Sequence, residues 1–205
     1  ATSRAAVRWT WRAFLAVVGL CLALALGFTL YAVSALPPLQ PWHTERLDGE
    51  YSSVKHAGLD FDGYLQLEQR LFEALRTKVA AWPRDEALAY SRFNPDGTLA
   101  RLAGGGTYNG SFRLRPETPA GAALLIHGLT DSPYSMRAMA EALHARGIDV
   151  TVLRLPGHGT LPSMMTEMSY RDWAAATRIA ARAVAQRAPA GRPFYIGGYS
   201  TGGTL

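Results

Sequence analysis

The sequence predicts an α/β fold with a doubly wound, mostly parallel sheet, preceded by one transmembrane helix. Three observations predict it. Ala13 to Leu36 is an apolar run without a single charge. From about residue 110 onward, strand-like and helix-like segments alternate. The last strand-like segment runs into Gly198-Tyr199-Ser200-Thr201-Gly202. Strands alternating with helices imply a parallel sheet joined by right-handed crossovers. The composition of the 205 residues, 48% apolar and 18% charged, excludes a disordered chain. One cysteine excludes a disulfide scaffold. Glycine and proline lack the period of collagen, and a mean hydropathy of −0.02 excludes a polytopic membrane protein.

The apolar run is long enough to cross a bilayer as a helix, the form that satisfies its own backbone in lipid. Arg4, Arg8 and Arg12 precede it, with Trp9 and Trp11 at headgroup level. After it, residues 37–62 hold Arg46 and Lys55 against Glu45, Asp48, Glu50, Asp60 and Asp62. By the positive-inside rule, residues 1–12 form a cytoplasmic basic tail and 13–36 a signal anchor. The remainder of the chain then faces the periplasm or cell exterior. Val33-Ser34-Ala35 could pass as a cleavage site, but the apolar core exceeds the roughly 7–15 residues of a signal peptide. Cys21 follows Leu20 rather than a small residue, so it reads as a filler of the span and not as a lipidated cysteine. Setting aside the three tail arginines leaves 18 basic against 16 acidic residues. The arginines are scattered, so the pI of 9.6 reports topology and not a nucleic-acid partner.

Pro37, Pro38 and Pro41 open a stretch, 37–62, that reads as an extended linker. In 63–109, a helical and loop extension, Tyr64, Leu67, Leu71, Leu75 and Val79 recur at helical spacing from about Asp62 to Trp82. Glu68, Arg70, Glu73 and Arg76 are expected on other faces. FNPDG and the glycines at 104–106 are turn signals.

Residues 110–205 form the α/β part. Ser111–Arg115 alternates as a strand, and Ala122–Ile126 is the continuous apolar run of a buried parallel strand. A helix is expected from Ser132-Pro133, a capping residue followed by proline, to before Gly147, with Asp131 read as a second cap candidate at its start. Ile148–Leu153 is the next strand, Tyr170–Arg187 the next helix, and Pro193–Gly197 the last strand.

A G-x-S-x-G alone is a weak signal. After a strand it suggests a nucleophile elbow, in which the serine sits on a strained turn and side chains two positions away would clash. Gly198 and Gly202 stand at those positions. A nucleophilic serine also needs donors for the oxyanion of a tetrahedral intermediate. One is the N–H after the nucleophile, here Thr201. The other comes from the loop after an earlier strand, here His127-Gly128-Leu129-Thr130, with the Leu129 N–H as candidate.

LLIHGLTDSPYSM, LRLPGHG and GGYSTGG together resemble the α/β-hydrolase superfamily, in its branch of carboxylesterases, monoacylglycerol lipases and serine aminopeptidase-like hydrolases. The extension resembles that of membrane-anchored members. The resemblance implies Ser200 as nucleophile, Leu129 and Thr201 as oxyanion donors, and ester hydrolysis through an acyl-enzyme without metal or cofactor. It implies a small-molecule ester as substrate, lipid-like if proximity to the bilayer counts. A peptidase, an acyltransferase or a non-catalytic relative would carry the same motifs, and oligomeric state is not legible.

In this fold the acid and the histidine follow the serine in the chain. Every histidine here precedes Ser200. His127 is therefore expected to support the oxyanion loop, and His158 to be a loop residue near it. The sequence reads as the front half of an enzyme, cut after the elbow: inactive on esters by itself and, with its last strand left as an apolar edge, prone to aggregate.

Overall fold

The computed structural model describes residues 4–205, with Ala5 by its backbone alone. Two compact units make up the chain, one ending at Leu39 and one running from Gln40 to Leu205. In the first, α1 (Arg4–Ala35) is one continuous helix of 32 residues. At about 1.5 Å per residue it is roughly 48 Å long, more than the ~30 Å hydrocarbon core of a bilayer. Within Ala6–Ala35 the most apolar part reaches a mean hydropathy of 2.5, enough to span one. The basic tail is part of this helix from Arg4 onward; residues 1–3 lie outside the described residues.

The second unit is built on a four-stranded sheet in the order β1-β3-β2-β4. Its strands are β1 (Phe112–Leu114), β2 (Gly121–Ile126), β3 (Ile148–Leu153) and β4 (Phe194–Gly198). β2 runs parallel to both β3 and β4, and β1 is antiparallel to β3. The short helices α2 (Pro41–Thr44), α4 (Glu86–Tyr90) and α5 (Thr98–Leu102) flank the long α3 (Phe61–Ala80) ahead of the sheet. Two more, α6 (Arg137–His144) and α7 (Tyr170–Arg187), follow β2 and β3. A 3-10 turn over Pro133–Met136 leads into α6. Ser132, not Asp131, holds the cap position there, and its hydroxyl turns away to Asn109.

The pleat of β2 divides the core. Ala122, Leu124 and Ile126 face Tyr64 and Leu67 of α3 and Ala176, Ala180 and Val184 of α7. Ala123 and Leu125 face the opposite layer, with Met136, Ala140, Val150 and Val152. Burying each large side chain contributes about 1.5–3 kcal/mol, so a strand buried on both faces has to be apolar throughout. β4 is the outer strand of the described sheet, and Tyr195 and Ile196 are exposed on it.

Residues 37–62 are not a free linker. Trp42 and Leu47 are buried against Leu71, Leu75, Val79 and Trp82, and Tyr51 is buried beside Phe61 and Tyr64. Glu50 is buried on Arg154. These residues follow no helical or strand period, because each is seated by a different neighbour. Glu68 also departs from expectation. It lies on the packed side of α3 and shares Arg154 with Glu50. A charged residue is placed inside by a partner that the helical pattern does not contain.

Candidate active site

β2 and β4 are paired so that Ile126 lies opposite Gly198. The two loops leaving these parallel strands therefore emerge side by side at the carboxyl ends, where open α/β sheets bind ligands. Seven sequence-predicted residues gather on them: His127, Gly128 and Leu129 on one, and Gly198, Ser200, Thr201 and Gly202 on the other.

The first loop is a tight turn. The Asp131 N–H donates to the Gly128 carbonyl at 3.2 Å and closes it. His127, wholly buried, also donates to that carbonyl from Nδ1 at 2.8 Å. Its tautomer is set from the other side, because the Leu155 N–H donates to Nε2 at 3.1 Å and that nitrogen must then carry the lone pair. Burial first, then the neighbouring His158, pushes the imidazole down to about 3, so the ring is neutral and its single proton faces Gly128. A peptide unit is planar, with its C=O and N–H opposed. Holding the Gly128 carbonyl on His127 thus aims the Leu129 N–H the other way. That N–H meets no acceptor among the described residues. A Cβ on Gly128 would sit tightly against the Tyr199 ring, at 3.0 Å.

His158 holds the next peptide unit. Its Nε2 lies 2.9 Å from the Leu129 carbonyl and its Nδ1 lies 3.0 Å from that of Pro156. Its ring packs edge-on to His127 at 4.9 Å and to Trp173 at 5.5 Å. Burial lowers its pKa as well. Both nitrogens of both histidines thus lie against backbone groups, and neither ring is disposed as a base.

The second loop is the elbow. Ser200 has φ +51°, the positive value unique among the described non-glycine residues. It opens a 3-10 turn, Ser200–Gly203, directly after β4. The turn is fastened to β2 by the Tyr199 N–H, which donates to the Ile126 carbonyl at 3.0 Å. A Cβ on Gly202 would come within 2.6 Å of the His127 carbonyl, and one on Gly198 would overlap the Gly202 carbonyl. Such a left-handed non-glycine residue costs on the order of 1–3 kcal/mol and persists where its surroundings over-determine it. Ser200 is exposed, and no side chain hydrogen-bonds its hydroxyl among the described residues.

Sequence reasoning missed the support beneath this site. Arg154, fully buried, donates from Nη1 and Nη2 to the two carboxylate oxygens of Glu50, each at 2.9 Å. From Nε it donates to Glu68 at 3.0 Å, and from Nη1 to the His158 carbonyl at 2.9 Å. Glu50 also accepts from the Gly157 N–H at 2.9 Å. Burial pushes Glu50 up, yet Arg154 and the backbone N–H groups bring it below its usual value; burial wins at Glu68, which is raised. A cavity of about 290 Å³ adjoins the turn, lined by Leu129, Phe93, Leu161 and Met165 among others.

Residues 123–205 match the family described as the alpha/beta hydrolase family. A thermostable monoacylglycerol lipase from Bacillus sp. (strain H-257) is 39% identical over 82 residues, which are 40% of this chain and 32% of that protein. The chain thus spans about a third of the length of the curated relative it matches. A solved structure reported under "LipS and LipT, two metagenome-derived lipolytic enzymes" is 32% identical, with a TM-score of 0.41 over 46% of this chain and 36% of that one. Over residues 123–205, with its parallel strands and the two loops at their carboxyl ends, the chain is similar to the α/β-hydrolase family.

Proposed function

We propose that the protein is a membrane-anchored serine ester hydrolase in which Ser200 is the nucleophile. The observation that carries this is the strained φ of +51° at a serine between two obligatory glycines. Strain of that kind is kept where it presents a side chain for chemistry. In the reaction, a general base takes the Ser200 proton as Oγ attacks the ester carbonyl. The N–H groups of Leu129 and Thr201 receive the oxyanion, the alcohol leaves, and water releases the acyl-enzyme. The base follows the nucleophile in the chain order of elbow-type hydrolases, so the test uses the full-length protein. The cavity beside Leu129 suits a small or medium apolar group of the ester.

The anchor is α1, with Arg4, Arg8 and Arg12 on the cytoplasmic side and the hydrolase unit across the membrane. An ester that partitions into lipid is the substrate class this supports. Full-length protein should be labelled by a fluorophosphonate, Ser200→Ala should abolish the labelling, and p-nitrophenyl esters should turn over faster than aminoacyl anilides. A folded full-length protein that resists the label would overturn the reading. Preference for the anilides would make it a peptidase.

A further inference from the structure

The oxyanion turn has three peptide units, and a different side chain meets the carbonyl of each. His127 donates to that of Gly128, and His158 Nε2 lies 2.9 Å from that of Leu129. The third, that of Thr130, accepts from Arg92 Nη2 at 2.8 Å. Arg92 lies in the extension, outside the family-matched residues 123–205. Its position is itself fixed. The Arg92 carbonyl accepts from Tyr108 Oη at 2.8 Å and from Asn109 Nδ2 at 2.9 Å. Asn109 Oδ1 in turn accepts from the Ser132 hydroxyl at 2.7 Å, just past the turn.

We propose that Arg92 is a positioning residue of the oxyanion hole, so that the extension takes part in orienting the Leu129 N–H. The proposal rests on Leu129 being an oxyanion donor. The peptide unit that Arg92 grips carries the Asp131 N–H, and this is the N–H that closes the turn on the Gly128 carbonyl. Arg92 and His127 thus hold the two ends of a single hydrogen bond. Release of the Thr130 carbonyl lets the Asp131 N–H swing, and the Gly128–Leu129 unit loses one of its two restraints. The donor would then move by less than a bond length, which matters because oxyanion donors act only within a narrow distance of the developing charge.

Such a residue acts on the transition state and not on substrate binding. In the full-length protein, Arg92→Met should lower kcat about tenfold with KM within twofold of wild type. It should weaken a boronic-acid transition-state analogue in proportion, while leaving the melting temperature within about 2 °C. Arg92→Lys, which keeps a donor but not the forked guanidinium, should recover part of kcat. An Arg92→Met enzyme with wild-type kcat and wild-type analogue affinity overturns the proposal, provided wild type is acylated at Ser200. If the wild type is not acylated there, the assignment of Ser200 fails first and the proposal falls with it. A loss of kcat matched by a rise in KM and a falling melting temperature would also overturn it, since general loosening of the extension would then explain the effect.

Discussion

Arg154 grips both oxygens of Glu50 at 2.9 Å across 104 positions of sequence, and the guanidinium is completely buried. Removing one partner of a buried pair costs about 3–5 kcal/mol, because the remaining charge is stranded. Glu68 still faces Arg154 when Glu50 is lost, so Glu50→Ala should cost about 3 kcal/mol, at the low end. Arg154→Met strands two carboxylates and should cost more. Urea unfolding of the detergent-solubilised protein measures both.

The elbow glycines are the second test. Gly202→Ala would drive a methyl into the carbonyls of Ile126 and His127, and Gly198→Ala into that of Gly202. Each should lose fluorophosphonate labelling altogether, and each should lower stability by several kcal/mol, on the scale of buried overpacking. Gly191, which also has a positive φ but meets nothing within 4 Å, is the control. Gly191→Ala should pay only the local backbone strain, about 1 kcal/mol, and keep its label.

Acid should unfold the Gln40–Leu205 unit through His127. Its pKa is 6.5 in an unfolded chain and about 3 in the folded one, chiefly through burial. Between those values the unfolded state binds the proton and the folded state does not, so stability falls as pH falls. The contribution is complete above pH 6.5 and gone near pH 3, on the order of 4 kcal/mol in all. His127→Gln should flatten the slope of unfolding free energy across that window.

Asp172 joins the segment before α3 to the start of α7. Its two oxygens accept from the N–H and hydroxyl of Ser53, at 2.7 and 2.8 Å, and from those of Ser169, at 3.0 and 2.7 Å. Asp172→Ala removes a capping box and a long-range tie together and should cost about 2 kcal/mol. Ser53→Ala, which leaves the capping box intact, should cost clearly less. Thermal unfolding of the two variants distinguishes them.

The proposed anchor gives a fifth prediction. Cys21 lies midway along α1, so a membrane-impermeant maleimide should fail to modify it in intact cells and succeed in denaturing detergent. In a Cys21→Ala background, Thr44→Cys should react from outside the cytoplasmic membrane.

What the sequence disclosed and what it concealed divide along a physical line. β3, Ile148–Leu153, and α7, Tyr170–Arg187, were legible to the residue, because apolar periodicity and end signals are local. The elbow was legible for the same reason: a serine between glycines states a steric requirement of its own backbone. Trp42, Leu47 and Tyr51 follow no period, so their burial was invisible. Glu50 and Glu68 look like solvated acids until Arg154 is brought beside them. Arg92 carries no local mark, since its role lies in a carbonyl 38 positions away.

The long reach of the Glu50–Arg154 pair also imposes an order in time. Glu50 leaves the ribosome 104 residues ahead of Arg154, an interval of roughly 5–20 s at ordinary elongation rates. Throughout it the Glu50 carboxylate is a hydrated ion, while its neighbours Trp42, Leu47 and Tyr51 already have their partners on α3. The buried ion pair is thus begun early and completed late, after the segment that carries Glu50 has its other contacts.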